Sequence, residues 1–144
     1  MLVSIWRTML SAWLFCVLLV ISLPWANFDG VAHWKNVQWV PFTHLNLHPE
    51  VMIETALNLL AFVPVGYLAI RSFAPHRRAC FYTVLLGFVA SSGIEAYQLF
   101  CHGRVPSTSD IIMNVAGTGI GIWLACAIDH MLTVFAVQVR RFTA

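Results

Sequence analysis

Three carboxylates in this chain each stand one helical turn from a carboxamide: Glu54 with Asn58, Glu95 with Gln98, and Asp110 with Asn114. Spacings of i, i+3 and i, i+4 place each pair on one face of a helix. Carboxylates act as general acids or bases or bind hard cations, and carboxamides beside them donate and accept hydrogen bonds. Arg104 follows Glu95 closely in sequence. Its planar guanidinium suits phosphate or carboxylate. We therefore take Glu95 and Asp110 as candidate catalytic acid and base. Arg104, Gln98, Asn58, Asn114 and Glu54 are the candidate substrate-binding residues.

The segments that must position these groups are apolar. The chain has 144 residues, 60% of them hydrophobic and 10% charged, with a mean hydropathy of +0.79. That composition describes a multi-spanning membrane protein and leaves no room for a soluble domain. Four stretches meet the roughly 20-residue requirement for a spanning helix: Thr8 to Trp25, Met52 to Ile70, Ala79 to Phe100 and Ile111 to Phe135. The expected fold class is all-α, a helical integral membrane bundle of four transmembrane helices. The last stretch is over-long and is expected to tilt or to emerge as a short cytoplasmic helix.

Basic residues set the orientation. Arg7, Arg71, Arg77, Arg78, Arg140 and Arg141 lie on one side of these spans and only Lys35 and Arg104 on the other, which puts both termini in the cytoplasm. Pro24-Trp25-Ala26 is a poor cleavage site, so the first span reads as an uncleaved anchor. The layout is an N-terminal anchor over residues 1–26, an extracytoplasmic loop over 27–51, a three-helix membrane domain over 52–138 and a basic cytoplasmic tail over 139–144. Trp6, Trp25, Trp34 and Trp39 fall near the interfaces and read as membrane-belt anchors. The expected location is a bacterial inner or plasma membrane, multi-pass.

On this topology the three carboxylate–carboxamide pairs meet at the extracytoplasmic boundary, joined there by Arg104. Simpler roles compete for several of them. Ser107-x-x-Asp110 reads as a capping box. Glu50 and Glu54 follow Pro49 at a helix start. Asn58, Gln98 and Asn114 can join helices by hydrogen bonds. Glu95 lies at the C-terminal end of its own helix, where the dipole repels an anion, so it is expected to form one charge-compensated unit with Arg104. Gly117-x-x-x-Gly121 gives the fourth helix a face for close approach, with Gly87, Ser91, Ser92 and Gly93 on the third as its expected match. Pro64 and Gly66 are expected to kink the second.

Metal and nucleophile motifs are weak. The cysteines form neither a disulfide framework nor a Cys-x-x-Cys pair. His44-x-x-x-His48, with His33 and His102 on the same side, is weighed as a zinc site, but Pro49 undermines its helical spacing and no metal is expected there. Ser107 or Ser109 served by His102 lacks a nucleophile elbow. No cofactor is identifiable.

The segments Asn58-Leu-Leu-Ala-Phe-Val-Pro64-Val-Gly66, Ser91-Ser-Gly-Ile-Glu95-Ala-Tyr-Gln98 and Arg104-x5-Asp110-x3-Asn114-x2-Gly117-x3-Gly121 resemble the successive signatures of VanZ-like membrane proteins. The resemblance covers roughly residues 52 to 128. It implies a small helical membrane domain, in a family named for a protein linked to resistance to the glycopeptide antibiotic teicoplanin, and it implies no particular reaction. Where family members often carry an acid, this chain has Ser107.

Two functions follow as expectations. In the first, the outer polar site of a cell-envelope protein binds the head group of a membrane lipid or a lipid-linked cell-wall intermediate, with or without chemistry on it. The outward layer carries five acids against Lys35 and Arg104, formally −3. A bare anion would therefore need protonated carboxylates or a bridging hard cation such as Mg²⁺. In the second, the protein is a non-enzymatic scaffold or accessory subunit whose polar network only locks the bundle. A proton or ion pathway is disfavoured, because the lower halves of the spans carry no polar track. Nucleic acid is not an expected partner.

Overall fold

A computed structural model of the chain describes residues 2–22, 28–43, 49–74 and 76–143. The motifs Pro24-Trp25-Ala26 and His44-x-x-x-His48 lie outside the described residues. Four helices make up the bundle: α1 (Leu2–Ser22), α2 (Pro49–Phe73), α3 (Ala79–Gln98) and α4 (Thr108–Thr143). A 3-10 turn, Trp34–Asn36, interrupts the segment between α1 and α2. No strand occurs among the described residues, only the isolated bridges Phe28–Cys101 and Gln38–Ser107.

All four helices hold a stretch long and apolar enough to cross a membrane: Leu2–Val20, Met52–Phe73, Ala79–Gln98 and Thr108–Val139. The protein is therefore an all-α, multi-pass membrane protein. Its burial pattern is that of a chain solvated by lipid. Leu57, Leu60, Phe81, Phe88, Val89 and Trp123 face outward, while Ser72, Thr83, Ser91, Asn114 and Thr118 are buried between helices. In lipid, apolar side chains gain little by turning inward, so small and polar residues take the helix contacts. The fourth helix is longer than a bilayer crossing requires. It is one unbroken element of 36 residues, about 54 Å long at 1.5 Å per residue against a hydrocarbon core of about 30 Å.

The helices α2 and α4 form the central pair. A Cβ at Gly117 would overlap the Leu59 carbonyl, one at Gly121 the Val63 carbonyl, and one at Gly66 the Thr118 carbonyl. The small-residue face of α4 thus meets α2 rather than α3. The third helix meets the next face of α4 instead, where Gly87 adjoins the Thr118 side chain and Ser91 bonds to Asn114. Gly93 has no neighbour within 4 Å of the position a Cβ would take. The reason is rotational: positions 117 and 121 share one stripe, and positions 114 and 118 the adjacent one. Pro64 lies inside α2, which runs on through it as a single helix. Gly66 is explained by its backbone contact with Thr118.

At the end of the bundle away from Arg104, Arg71 Nη1 donates to both carboxylate oxygens of Asp129 at 2.8 Å, tying α2 to α4. The guanidinium also lies over the rings of Tyr67 and Trp6, 5.4 and 6.0 Å from their centroids. Trp6, expected as a belt anchor, therefore packs on α2 as well, edge to face with Tyr67. On the same side of α1, Trp13 Nε1 donates to the Ala61 carbonyl at 3.0 Å. Trp34 and Trp39 stack on one another and stay exposed.

Candidate functional site

The N-terminus of α4 organises the site. Ser107 is its N-cap: the hydroxyl accepts from Ser109 N–H at 3.1 Å, and the carbonyl accepts from Asp110 and Ile111 N–H at 3.2 and 3.4 Å. In a full capping box the third helical residue would reach back to the N-cap N–H. That N–H is already taken, because Ser107 N–H donates to Glu95 Oε2 at 2.8 Å. Only the serine half of the box forms. Its acidic half is supplied by α3, and Asp110 is freed to turn elsewhere.

This bond also accounts for Glu95, which is buried at 7% exposure. The dipole of its own helix opposes it, but the positive end of α4 favours it. Arg104, Asp110 and Glu54 lie near enough to act on its charge. The bond described for it is to Ser107, a partner that residue spacing did not reveal.

The segment 28–43 is stitched over this junction. Asp29 and His33 N–H donate to the carbonyls of Phe100 and Leu99 at 3.2 and 2.9 Å, and Gln38 N–H to that of Pro106 at 2.9 Å. Thr108 N–H returns a bond to the Gln38 carbonyl at 3.1 Å. Phe42, at a left-handed φ of 61°, donates its N–H to Ser109 Oγ at 2.8 Å. The first N–H groups of α4 are therefore all satisfied within the chain, so an anionic ligand here would be held by side chains. The Phe28 ring stacks on Tyr97, with centroids 5.7 Å apart, and the Cys101 thiol is buried at 3% exposure. Asp29 accepts from Val31 N–H and pairs with the His33 ring, and these contacts, the backbone one first, hold its carboxyl below the usual carboxylate range.

Beside this junction opens a polar pocket of about 280 Å³ whose walls include Phe42, Glu54, Gln98, Arg104, Ser109 and Asp110. Glu54, Gln98, Arg104 and Asp110 also line an adjoining cavity of about 500 Å³, which continues past Asn58 to Leu57, Ala61 and Val20. Those last three residues in turn border an apolar groove of about 320 Å³ between α1 and α2, completed by Trp13, Cys16, Val17 and Leu60. Asn58 hydrogen-bonds the Asp110 carboxylate across α2 and α4.

Of the residues singled out by spacing, Glu54, Asn58, Gln98, Arg104 and Asp110 come together around this space. Glu95 and Asn114 do not line it. Asn114 sits one turn deeper, 1% exposed, its amide donating to Ser91 Oγ at 2.8 Å. Its own Oδ1 has no partner among the described residues. Phe42 and Gln38 were missed because they reach the pocket from a segment with no helical periodicity.

The signature of the VanZ/LLP1 family matches residues 6–129. The chain belongs to that family. No curated protein and no solved structure matches it. The VanZ/LLP1 match takes in most of α1, the 28–43 segment, α2, α3 and the first part of α4, so the residues that line the pocket and its groove all fall within it.

Proposed function

We propose that this VanZ/LLP1 protein binds the head group of a membrane lipid or lipid-linked cell-wall intermediate in the polar pocket, with the chain of that amphiphile in the α1–α2 groove. One observation carries the reading: the charged pocket, the adjoining cavity and the apolar groove share walls, through Glu54, Arg104 and Asp110 and then Val20, Leu57 and Ala61. A lone polar network needs no apolar extension. Arg104 grips a phosphate or carboxylate, while Glu54 and Asp110 accept from an amine or hydroxyls on the same head group. A ligand that carries both kinds of group meets no net repulsion from the acidic layer. Any proton transfer on it falls to Asp110 or Glu54, and Glu95 holds α4 in place.

The reading puts the pocket on the extracytoplasmic side and both termini in the cytoplasm, on the asymmetry of the arginines. A link to glycopeptide resistance would act through the bound cell-wall intermediate. Because Cys101 is buried, the topology is best probed with Val105→Cys in a chain lacking the native cysteines. An impermeant maleimide is expected to label it in intact cells. A chain keeping only Cys80 should label after permeabilisation alone, and the reverse pattern would overturn the orientation.

The binding test is mass spectrometry of lipids that co-purify with wild type and with Arg104→Gln. Wild type is expected to enrich one class of amphiphile, and the variant to retain about tenfold less of it, equivalent to about 1.4 kcal/mol. The scaffold alternative draws support from the Glu95–Ser107 and Asn114–Ser91 bonds, which serve only the bundle. It predicts the same lipid complement for both proteins.

A further inference from the structure

Where the segment after α1 meets the α3–α4 loop, Asp29, His33 and His102, none of which lines the pocket, bring one carboxylate oxygen and two imidazole nitrogens within 4.8 Å of one another. We propose that these three side chains form a binding site for a divalent transition-metal ion of the zinc class. Two imidazoles and a carboxylate are a donor set that zinc takes readily, and three protein ligands leave a fourth position open.

The geometry is close to what an ion requires. Tetrahedral coordination at the usual Zn–N and Zn–O lengths separates ligand atoms by about 3.3 Å. His33 Nε2 and Asp29 Oδ2 are 2.8 Å apart, and the rings of His33 and His102 meet edge to face with centroids 5.8 Å apart. The donor atoms of all three lie within 4.8 Å of one another, a spread that side-chain rotation can close. Asp29 and His102 are exposed and His33 partly so, which gives an ion a way in.

The backbone beneath the cluster is already fixed. Asp29 and His33 N–H are bonded to the carbonyls of Phe100 and Leu99, and Phe28 is bridged to Cys101 beside His102. Val31 N–H holds Asp29 Oδ1 at 2.9 Å, orienting the carboxylate and leaving Oδ2 for the ion. An outer bond of that kind is what steadies a metal ligand. An ion here would fasten the segment after α1 to the loop that carries Arg104.

The experiment uses tag-free, full-length protein in detergent, stripped with chelator and titrated with Zn²⁺ and with Co²⁺. Wild type is expected to bind one ion per chain, and Co²⁺ to give the visible absorption of a tetrahedral nitrogen–oxygen site. Asp29→Asn, His33→Gln and His102→Ala should each weaken binding by tenfold or more, while His76→Ala leaves it unchanged. Protection of the Asp29 and His33 amides against hydrogen exchange should rise on adding Zn²⁺ to wild type only. Absence of uptake by folded wild type, or equal uptake by the three variants, would overturn the proposal.

Discussion

Glu95→Ala is expected to cost the folded protein about 3 kcal/mol, the upper end for losing a charge-assisted hydrogen bond. The loss has two sources. Ser107 N–H is left buried without an acceptor, and the end of α3 loses its tie to the start of α4. Glu95→Gln keeps an acceptor oxygen in the same place and should lose far less. Unfolding of the two variants in detergent measures the gap between them. Equal losses would mean that the charge, rather than the bond to Ser107, is what holds the residue. Adding Arg104→Gln to each then tests the charge pairing: coupling shows as a departure from additivity, and additive losses rule it out.

Asp110→Asn is expected to leave the fold intact while the bound amphiphile falls about tenfold or more, a loss of at least 1.4 kcal/mol. As the third residue of α4 it does not supply the cap, which Ser107 provides. The carboxamide has the same shape and still accepts from Asn58. What disappears is the charge, worth about 0.3–1 kcal/mol to the helix terminus and much more to a ligand group that depends on it. Asp129→Asn is the comparison, an acid at the opposite end whose loss weakens the tie to Arg71 and should spare the lipid. Co-purifying lipid, set against thermal unfolding of the same samples, separates the two effects. Undiminished lipid in folded Asp110→Asn would favour the scaffold reading.

What was legible in the sequence depended on the range over which its cause acts. Hydropathy is local, so all four spans could be read, although helix ends such as Leu2 run past the apolar stretch because backbone hydrogen bonding does not stop where hydropathy falls. Helical spacing is also local: Glu54, Asn58, Gln98 and Asp110 line one space, whereas Glu95 and Asn114, which the same spacing put on the faces of Gln98 and Asp110, do not. Which helix meets which is a property of rotation and crossing, and so Gly117 and Gly121 were paired with the wrong neighbour. Contacts between distant segments leave no periodic trace. Arg71 with Asp129, Glu95 with Ser107 N–H, and His33 near His102 are of this kind. The capping box misled for the same reason, since its acid competes with a carboxylate from another helix.

The ties between α2 and α4 have a mechanical consequence. The two helices are fastened at one end by Asn58 and Asp110, at the other by Arg71 and Asp129, and between them by glycine contacts too close for sliding. They form a stiff post. The first helix leans on that post mainly through apolar side chains, the Trp13 indole bond and the edge-to-face contact of Trp6 with Tyr67. Lipid tails can replace apolar contacts almost without cost, whereas they cannot replace an ion pair or a backbone-close seam. A sideways swing of α1 is thus the cheapest large motion open to the bundle. It would open the groove towards the surrounding bilayer without disturbing the polar pocket between α2 and α4.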